Sequence, residues 1–324
     1  MKYLFFDIEC AGVSKNFAKI CAFGYCLTDE KFNILDKRDI LINPKGSFHL
    51  TDGKGVQGIV LPYEYKEFKK YPAFPEVANE IYALLQDNDT VVVGHATMND
   101  VKYLNLESKR FSLPSFKFRF ADTQFIYMTA IGDFSRQFGL GTIAERLGVE
   151  FTPHRAVDDA YATMRIAEAM CKEAGVSLVE LFEKYEITLG EIDGYEITQS
   201  TSEAFKRHVE ESARRKEERT KRQVDFHIFV DREKRKRSKT GKLKGKTVCF
   251  SHPIEQETEL AKSLARRAIS EGAFVIFRAE ECNVYVCFDG ETGARIKSVT
   301  DRNGKVYTVD EFTAFLDETK GAGL

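Results

Sequence analysis

The 324-residue chain is 43% hydrophobic and 30% charged, which suits two domains of ordinary size and excludes a small scaffold held by disulfides or a structural metal. No apolar stretch approaches the roughly 18 residues of a membrane helix, and Met1 runs directly into the strand-like KYLFFDIEC, so neither a span nor a signal peptide is expected. The formal net charge of −2, taken whole, speaks against a nucleic-acid partner, but residues 1–200 carry 22 basic and 29 acidic side chains, residues 203–245 carry 16 and 8, and residues 246–324 carry 10 and 13.

In chain order, KYLFFDI, KICAFGYCLTD and FNILDKRDILI predict three strands joined by short polar turns, an antiparallel meander over residues 1–43. FPEVANEIYALLQ (74–86) has apolar residues at helical spacing, and TVVVGH (90–95) is a short continuous apolar strand. FKFRF (116–120) alternates Phe with Lys and Arg, AVDDAYATMRIAEAM (156–170) is a helix, and VSLVELFEKYEI (176–187) predicts one more. Antiparallel strands followed by strands alternating with helices define an α/β domain with a mixed sheet over residues 1–190.

The composition then changes. EAFKRHVEESARRKEERTKRQ predicts an exposed helix with i,i+4 charge pairs, VDFHIFV (224–230) is apolar enough to dock, and DREKRKRSKTGKLKG (231–245) reads as a flexible basic stretch. Residues 191–244 are therefore expected to form a basic, partly helical connector, whose charge either contacts phosphates or merely keeps it extended. A second, small α/β pattern fills residues 245–324: strand KTVCFS, helix ETELAKSLARRAISEG, paired strands AFVIF and NVYVCF, a short helix at ARIKSV, strand KVYT and helix VDEFTAFL. The seven cysteines form no CxxC pair, and Cys10, Cys21, Cys249 and Cys287 sit in apolar runs. Reduced thiols in a cytoplasmic protein are expected, without disulfides or zinc.

Three elements carry chemistry. Asp7 and Glu9 lie two residues apart on a strand, so both carboxylates leave the same face. Alone, such a pair is equally a solvated strand face, although the apolar flank YLFF argues against that. In GHATMNDVKYL (94–104) a strand ends at Gly94 and a helix begins, with Asp100 in its first turns, where the helix dipole also favours an acid for purely structural reasons. In HRAVDDAYAT (154–163), His154 sits in the loop before a helix and Asp159 within it. Asp158 falls about 100° round the helix and is read as exposed, and Asp122 is read as a helix cap.

Jointly and in this order, the three elements resemble the DEDDh 3′-to-5′ exonucleases, which have a ribonuclease H-like fold. D-x-E matches Asp7 and Glu9, G-H followed by an aspartate matches Gly94, His95 and Asp100, and H-x-A-x-x-D-A matches His154, Ala156, Asp159 and Ala160. The likeness covers about residues 1–175. It implies a ribonuclease H-like mixed sheet flanked by helices and metal-assisted phosphodiester hydrolysis. Asp7, Glu9, Asp100 and Asp159 would hold two Mg²⁺ or Mn²⁺ about 4 Å apart, and His154 would be the general base. Ile8, Cys10, His95 and Asn99 would contact substrate. Cys10, Ala96 and Asn99 depart from the family's usual Thr, Asn and Phe; none of these is a metal ligand there, so the departures bear on substrate grip.

Residues 245–318 resemble a BRCT domain, with Gly272 and Ala273 at its usual G-G and Phe312 or Phe315 in place of its common tryptophan. In phosphopeptide-binding members a Ser or Thr ends the first strand and a Lys lies by the second helix, places that Ser251 and Lys297 would take. These resemblances imply an exonuclease acting on nucleic-acid 3′ ends, DNA rather than RNA by fold analogy, in repair or replication, with a protein partner for the BRCT-like domain. The alternatives are an RNA exonuclease and a module that chiefly recruits a DNA end or partner.

Overall fold

The computed structural model describes residues 1–46, 63 and 66–318, so residues 319–324 of the expected C-terminal domain lie outside it. The chain divides into two compact units, Met1–Val209 and Glu210–Leu324. No helix among the described residues is long and apolar enough to cross a membrane.

The first unit is built on β1 (Lys2–Val13), β2 (Ala18–Asp29) and β3 (Ile34–Leu41), the expected meander. It continues through α1 (Phe74–Leu85), β4 (Thr90–Gly94), α2 (Met98–Arg110), β5 (Phe118–Asp122), α3 (Thr123–Ile131), α4 (Leu140–Leu147), α5 (Ala156–Ala174) and α6 (Leu178–Lys184). The short β6 (Ile187–Thr188), β7 (Gly190–Asp193), β8 (Glu196–Thr198) and β9 (Thr201–Ser202) follow. One seven-stranded sheet has the order β3-β2-β1-β4-β5-β7-β8, and β6 pairs β9 separately. β1 is antiparallel to β2 and parallel to β4, which is parallel to β5. This is the mixed, ribonuclease H-like sheet expected.

Alternation along β1 divides the core. Leu4, Phe6 and Ile8 pack against α1 and α2, whereas Tyr3 and Phe5 pack against α3, α5 and α6 on the other face. Each fully buried Phe contributes roughly 1.5–3 kcal/mol. Asp7 and Glu9 share the parity of Tyr3 and Phe5, so both point to the face that α5 covers. The expected boundary at residue 190 falls inside this unit, because β7, antiparallel to β5, and β8, antiparallel to β7, extend the sheet.

Helix α7 (Glu203–Glu233) carries the chain from the first unit into the second. Its middle is held by the expected i,i+4 pairs, Arg215–Glu211 and Lys221–Glu217, each worth only about 0.3–0.5 kcal/mol. The second unit contains β10 (Thr247–Phe250), α8 (His252–Gln256), α9 (Thr258–Ser270), β11 (Phe274–Val275), β12 (Val284–Cys287), α10 (Ala294–Thr300), β13 (Lys305–Thr308) and α11 (Val309–Asp317). Its parallel sheet runs β11-β10-β12-β13. AFVIF and NVYVCF, read from sequence as a pair, instead flank β10 on opposite sides, because parallel strands cannot be joined by so short a connection and still be neighbours. Phe312 takes the buried core position and Phe315 its edge.

The stretch 231–245 is not a free linker. Phe226, Val230 and Leu243 belong to the second unit's core, the Lys242 and Leu243 amides donate to Glu271 at 2.9 Å, and the Ser238 amide donates to the Ile269 carbonyl at 3.2 Å. A buried leucine, three backbone amides and the Lys242 ammonium, which donates to the Phe315 and Glu318 carbonyls, dock a segment whose composition suggests solvent on all sides. All seven cysteines are free thiols.

Candidate active site

Asp7 lies directly opposite Gly24 in the β1–β2 register. A Cβ on Gly24 would fall 2.0 Å from the carbonyl carbon of Ala156, so only glycine lets the first turn of α5 press against the sheet here. That approach brings Asp159, three residues further on, beside the two β1 carboxylates. Register shifts between Glu9 and Cys10 and between Cys10 and Gly12 bend β1 just past the pair.

The start of α5 is held from outside the helix. Arg155, its N-cap, supplies no side-chain cap, and the Val157 amide instead donates to Asp39 Oδ1 on β3 at 2.9 Å. Asp39 Oδ2 accepts from Arg155 Nε at 3.2 Å and from the Tyr63 hydroxyl at 3.0 Å. Within the loop, the His154 amide donates to Asp159 Oδ2 at 3.0 Å, with His154 in the left-handed region at φ 68°. Thr163 Oγ1 donates to the Asp159 carbonyl at 2.8 Å. Asp158 turns toward Arg155 at 3.9 Å and is half-buried, away from the cluster.

Asp100 arrives through a second tight junction. β4 ends at Gly94, where a Cβ would meet Thr97 Oγ1 at 2.6 Å, and Ala96 takes φ 51° as the chain turns into α2. Asp122, opposite Gly94 on β5, accepts the Ala96 and Thr97 amides at 3.0 Å and the Gln124 amide at 2.9 Å. It is thus the expected cap of α3 and also the clamp that fixes the entry to α2. Burial lifts its carboxyl to about 6 against those three donors. Asp100 is buried in α2, and the nearby Ile8 backbone works against the rise in its pKa.

His95 lines the same groove but its ring is committed: Nδ1 meets Thr123 Oγ1 at 2.9 Å and Nε2 meets the Phe138 carbonyl at 3.0 Å. A carbonyl only accepts, so Nε2 carries the hydrogen, and Nδ1 shares the single Thr123 hydroxyl hydrogen with the Gly94 carbonyl, 3.2 Å from that oxygen. Burial lowers the ring to about 4, in keeping with this neutral form.

Asp7, Glu9, Asp100 and Asp159 line one groove of about 860 Å³ together with His154, and among the described residues none of the four carboxylates forms an ion pair. Loss of water raises all four carboxyls, and their mutual repulsion adds to it. Asp7 is pushed well up by burial and then by Asp100, Asp159 and Glu9; Asp100 is likewise pushed well up by burial, Asp122 and Glu9. Glu9 rises to about 8 through burial, Asp159 and Asp39, and Asp159 to about 7 through burial, Asp158 and Asp39, opposed by the His154 amide. Ligand atoms of Glu9, His154 and Asp159 lie within 4.8 Å of one another. An oxygen-rich set of buried acids without a counter-charge fits a hard divalent cation.

Ile8, Cys10 and Asn99 also line the groove, and burial raises the Cys10 thiol. Sequence reading missed Phe17, Lys19, Tyr103 and Phe151 there; Lys19 is the only cation among its described lining residues. In the second unit, Ser251 caps α8 and its hydroxyl donates to Glu291 Oε1 at 2.8 Å. A carboxylate therefore stands where a phosphate was expected, and the structure pairs Ser251 with Glu291, not with the exposed Lys297.

Fold and groove together define a ribonuclease H-like protein with a carboxylate-centred site. The chain belongs to the exonuclease family: residues 4–167, about half of its length, match the RNase T exonuclease profile. No curated protein matches it. It is similar to a 3′-exonuclease solved for 3′-end-specific recognition of a histone mRNA stem-loop, at 16% identity over 62% of this chain and 71% of that one, with a TM-score of 0.48. It is also similar to the nuclease domain of a DEDDh family member bound to rAMP (19% identity, 53% and 91% covered, TM-score 0.43). A third similar structure is E. coli Exonuclease I with a dA16 oligonucleotide (18%, 57% and 42%, TM-score 0.45).

Proposed function

We propose that the first unit is a divalent-metal-dependent 3′-to-5′ exonuclease, most at home on DNA. The observation that carries this reading is the convergence of four carboxylates from β1, α2 and α5 on one groove without an ion-paired cation. Asp7, Glu9, Asp100 and Asp159 would hold two Mg²⁺ or Mn²⁺. Bound there, the ions supply Lewis-acid activation of water and neutralise charge on the phosphate.

The chain's own groups do the rest. A ring nitrogen of His154 accepts the proton of the attacking water, and the Asp159 carboxylate fixes the loop that carries the imidazole. The Lys19 ammonium attracts the phosphate, and Phe17, Tyr103 and Phe151 offer apolar faces to the terminal nucleotide. Water adds across the P–O3′ bond, leaving a 3′-hydroxyl on the shortened strand and a 5′-phosphate on the released nucleotide.

The second unit's order of strand, two helices (the first a single turn), two strands, helix, strand and helix supports a BRCT-like reading, and with it DNA repair or replication. The test is digestion of 5′-labelled single-stranded DNA, a 3′-mismatched duplex and short RNA with Mg²⁺ and Mn²⁺. Mononucleotide release should need the metal and vanish in Glu9→Ala and Asp159→Ala, while His154→Ala loses most of the rate and keeps metal affinity. Full activity in Asp159→Ala would overturn the assignment, and faster digestion of RNA than of DNA would overturn the substrate preference.

A further inference from the structure

The second unit carries a groove of about 770 Å³ between the end of α7 and the edge strand β11. Its lining includes Arg232, Lys234, Arg237 and Arg278 against Asp231 and Glu281. Lys234 pairs with Asp231 and Arg278 with Glu281, but Arg232 and Arg237 form no ion pair among the described residues. These cations are the start of a strip: residues 232–246 hold nine basic side chains and one acid. Docking through Leu243, Lys242 and Ser238 fixes that strip on the surface, so its charge is held in place rather than averaged over a moving tail.

Aromatic rings interleave with the charge. Phe274 on β11 is 46% exposed, large for a phenylalanine, and the Arg237 guanidinium lies 3.5 Å from its ring centroid. Deeper in the groove, His227 stacks on Phe277 at 3.5 Å. Cations that track phosphates, Arg232 and Arg237 free of ion pairs among the described residues and Lys234 in an exposed pair that a phosphate can replace, beside exposed flat surfaces on which bases stack, are what a single strand of nucleic acid requires. A duplex hides those base faces.

We infer that this groove binds single-stranded nucleic acid on its own account, with Arg232, Lys234 and Arg237 on phosphates and Phe274, with Arg237 over its ring, as a base platform. This rests on and deepens the nucleic-acid reading above, and it assigns the second unit a binding site of its own, built from none of the carboxylate groove's residues.

The full-length protein would be titrated in EDTA with a fluorescent, covalently circular oligothymidylate, which has no 3′ end for an exonuclease site to take. Replacing Arg232, Lys234 and Arg237 with Gln should flatten the slope of log affinity against log salt by about 2, at roughly 0.7 per single-strand phosphate contact. Phe274→Ala should weaken binding at least about five-fold, corresponding to about 1 kcal/mol of stacking, and leave the salt slope unchanged. Unchanged binding in both variants would overturn the inference. So would equal binding of an abasic circle or of anionic lipid vesicles, since either would mean charge alone is recognised. Metal-dependent hydrolysis of thymidine 5′-(p-nitrophenyl phosphate) by the same variants reports the carboxylate site separately, so failure of one reading is distinguishable from failure of the other.

Discussion

Asp39 has no place in the catalytic pattern, yet removing it should cost both stability and rate. The Val157 amide is among the first four N–H groups of α5, which have no partner within the helix, and Arg155 does not cap it. Asp39 caps from β3 instead and ties Arg155 and Tyr63 to the same carboxylate. Loss of a cap costs about 0.5–2 kcal/mol, and hydrogen bonds to a charged group about 1.5–3 kcal/mol each, with part recovered by water at the exposed Arg155. A net loss of about 2 kcal/mol is expected for Asp39→Ala. For a unit of roughly 200 residues this lowers the melting midpoint by about 4–8 °C. The rate should fall further than stability, since His154 and Asp159 stand on the loosened turn and a displacement of about 1 Å can cost about 100-fold. Asp39→Asn keeps an oxygen for the Val157 amide and should recover much of both losses. If Asp39 mattered only through its charge on Glu9 and Asp159, Asn and Ala would behave alike. Calorimetry beside a mononucleotide-release assay decides, and Asp39→Ala with unchanged midpoint and kcat would refute the reasoning.

Asp7→Asn relieves the cost of ionising a carboxyl that burial and its acidic neighbours already push well up, so the melting midpoint in EDTA should be unchanged or higher, while activity and any stabilisation by added Mg²⁺ are lost; calorimetry with and without metal checks it. His95 is lowered to about 4 from an ordinary value near 6.5, so its contribution to stability is complete above about pH 6.5 and fades as pH falls toward 4. The slope is at most about 1.4 kcal/mol per pH unit, and denaturant melts of His95→Gln over that window should lack it. Gly24→Ala drives a methyl into the Ala156–Val157 backbone and should destabilise by about 1–3 kcal/mol or more, with activity lost in proportion to the displacement of α5; a melting curve within about 1 °C of the unaltered protein would contradict the close approach.

What the sequence makes legible is local. Two carboxylates at i and i+2 on an apolar strand, and a histidine five residues before an aspartate on a helix, can be read from spacing because strand and helix periodicity fix their directions. Asp39 could not be read, because its role depends on a contact with Val157 that lies 118 residues away. Gly24 looks like any strand glycine until α5 is laid on it. β7 and β8 are four- and three-residue strands with one buried isoleucine between them, too short for alternation to register. Ser251 shows the other side of this: its residue type suits a phosphate contact, but its hydroxyl is taken by Glu291, an acid that comes from 40 residues away and that spacing along the chain does not announce.

The backbone at His154 carries one more consequence. A left-handed φ is disfavoured for a side-chain-bearing L-residue by roughly 1–2 kcal/mol, and glycine or asparagine would sit there more comfortably. Selection for a sturdier protein and selection for a faster one therefore pull this position in opposite directions. His154→Gly should yield a molecule that melts later and has lost most of its rate. A screen for thermostability alone would be drawn to that change, which makes residue 154 a place where robustness can be gained only by giving up the reaction.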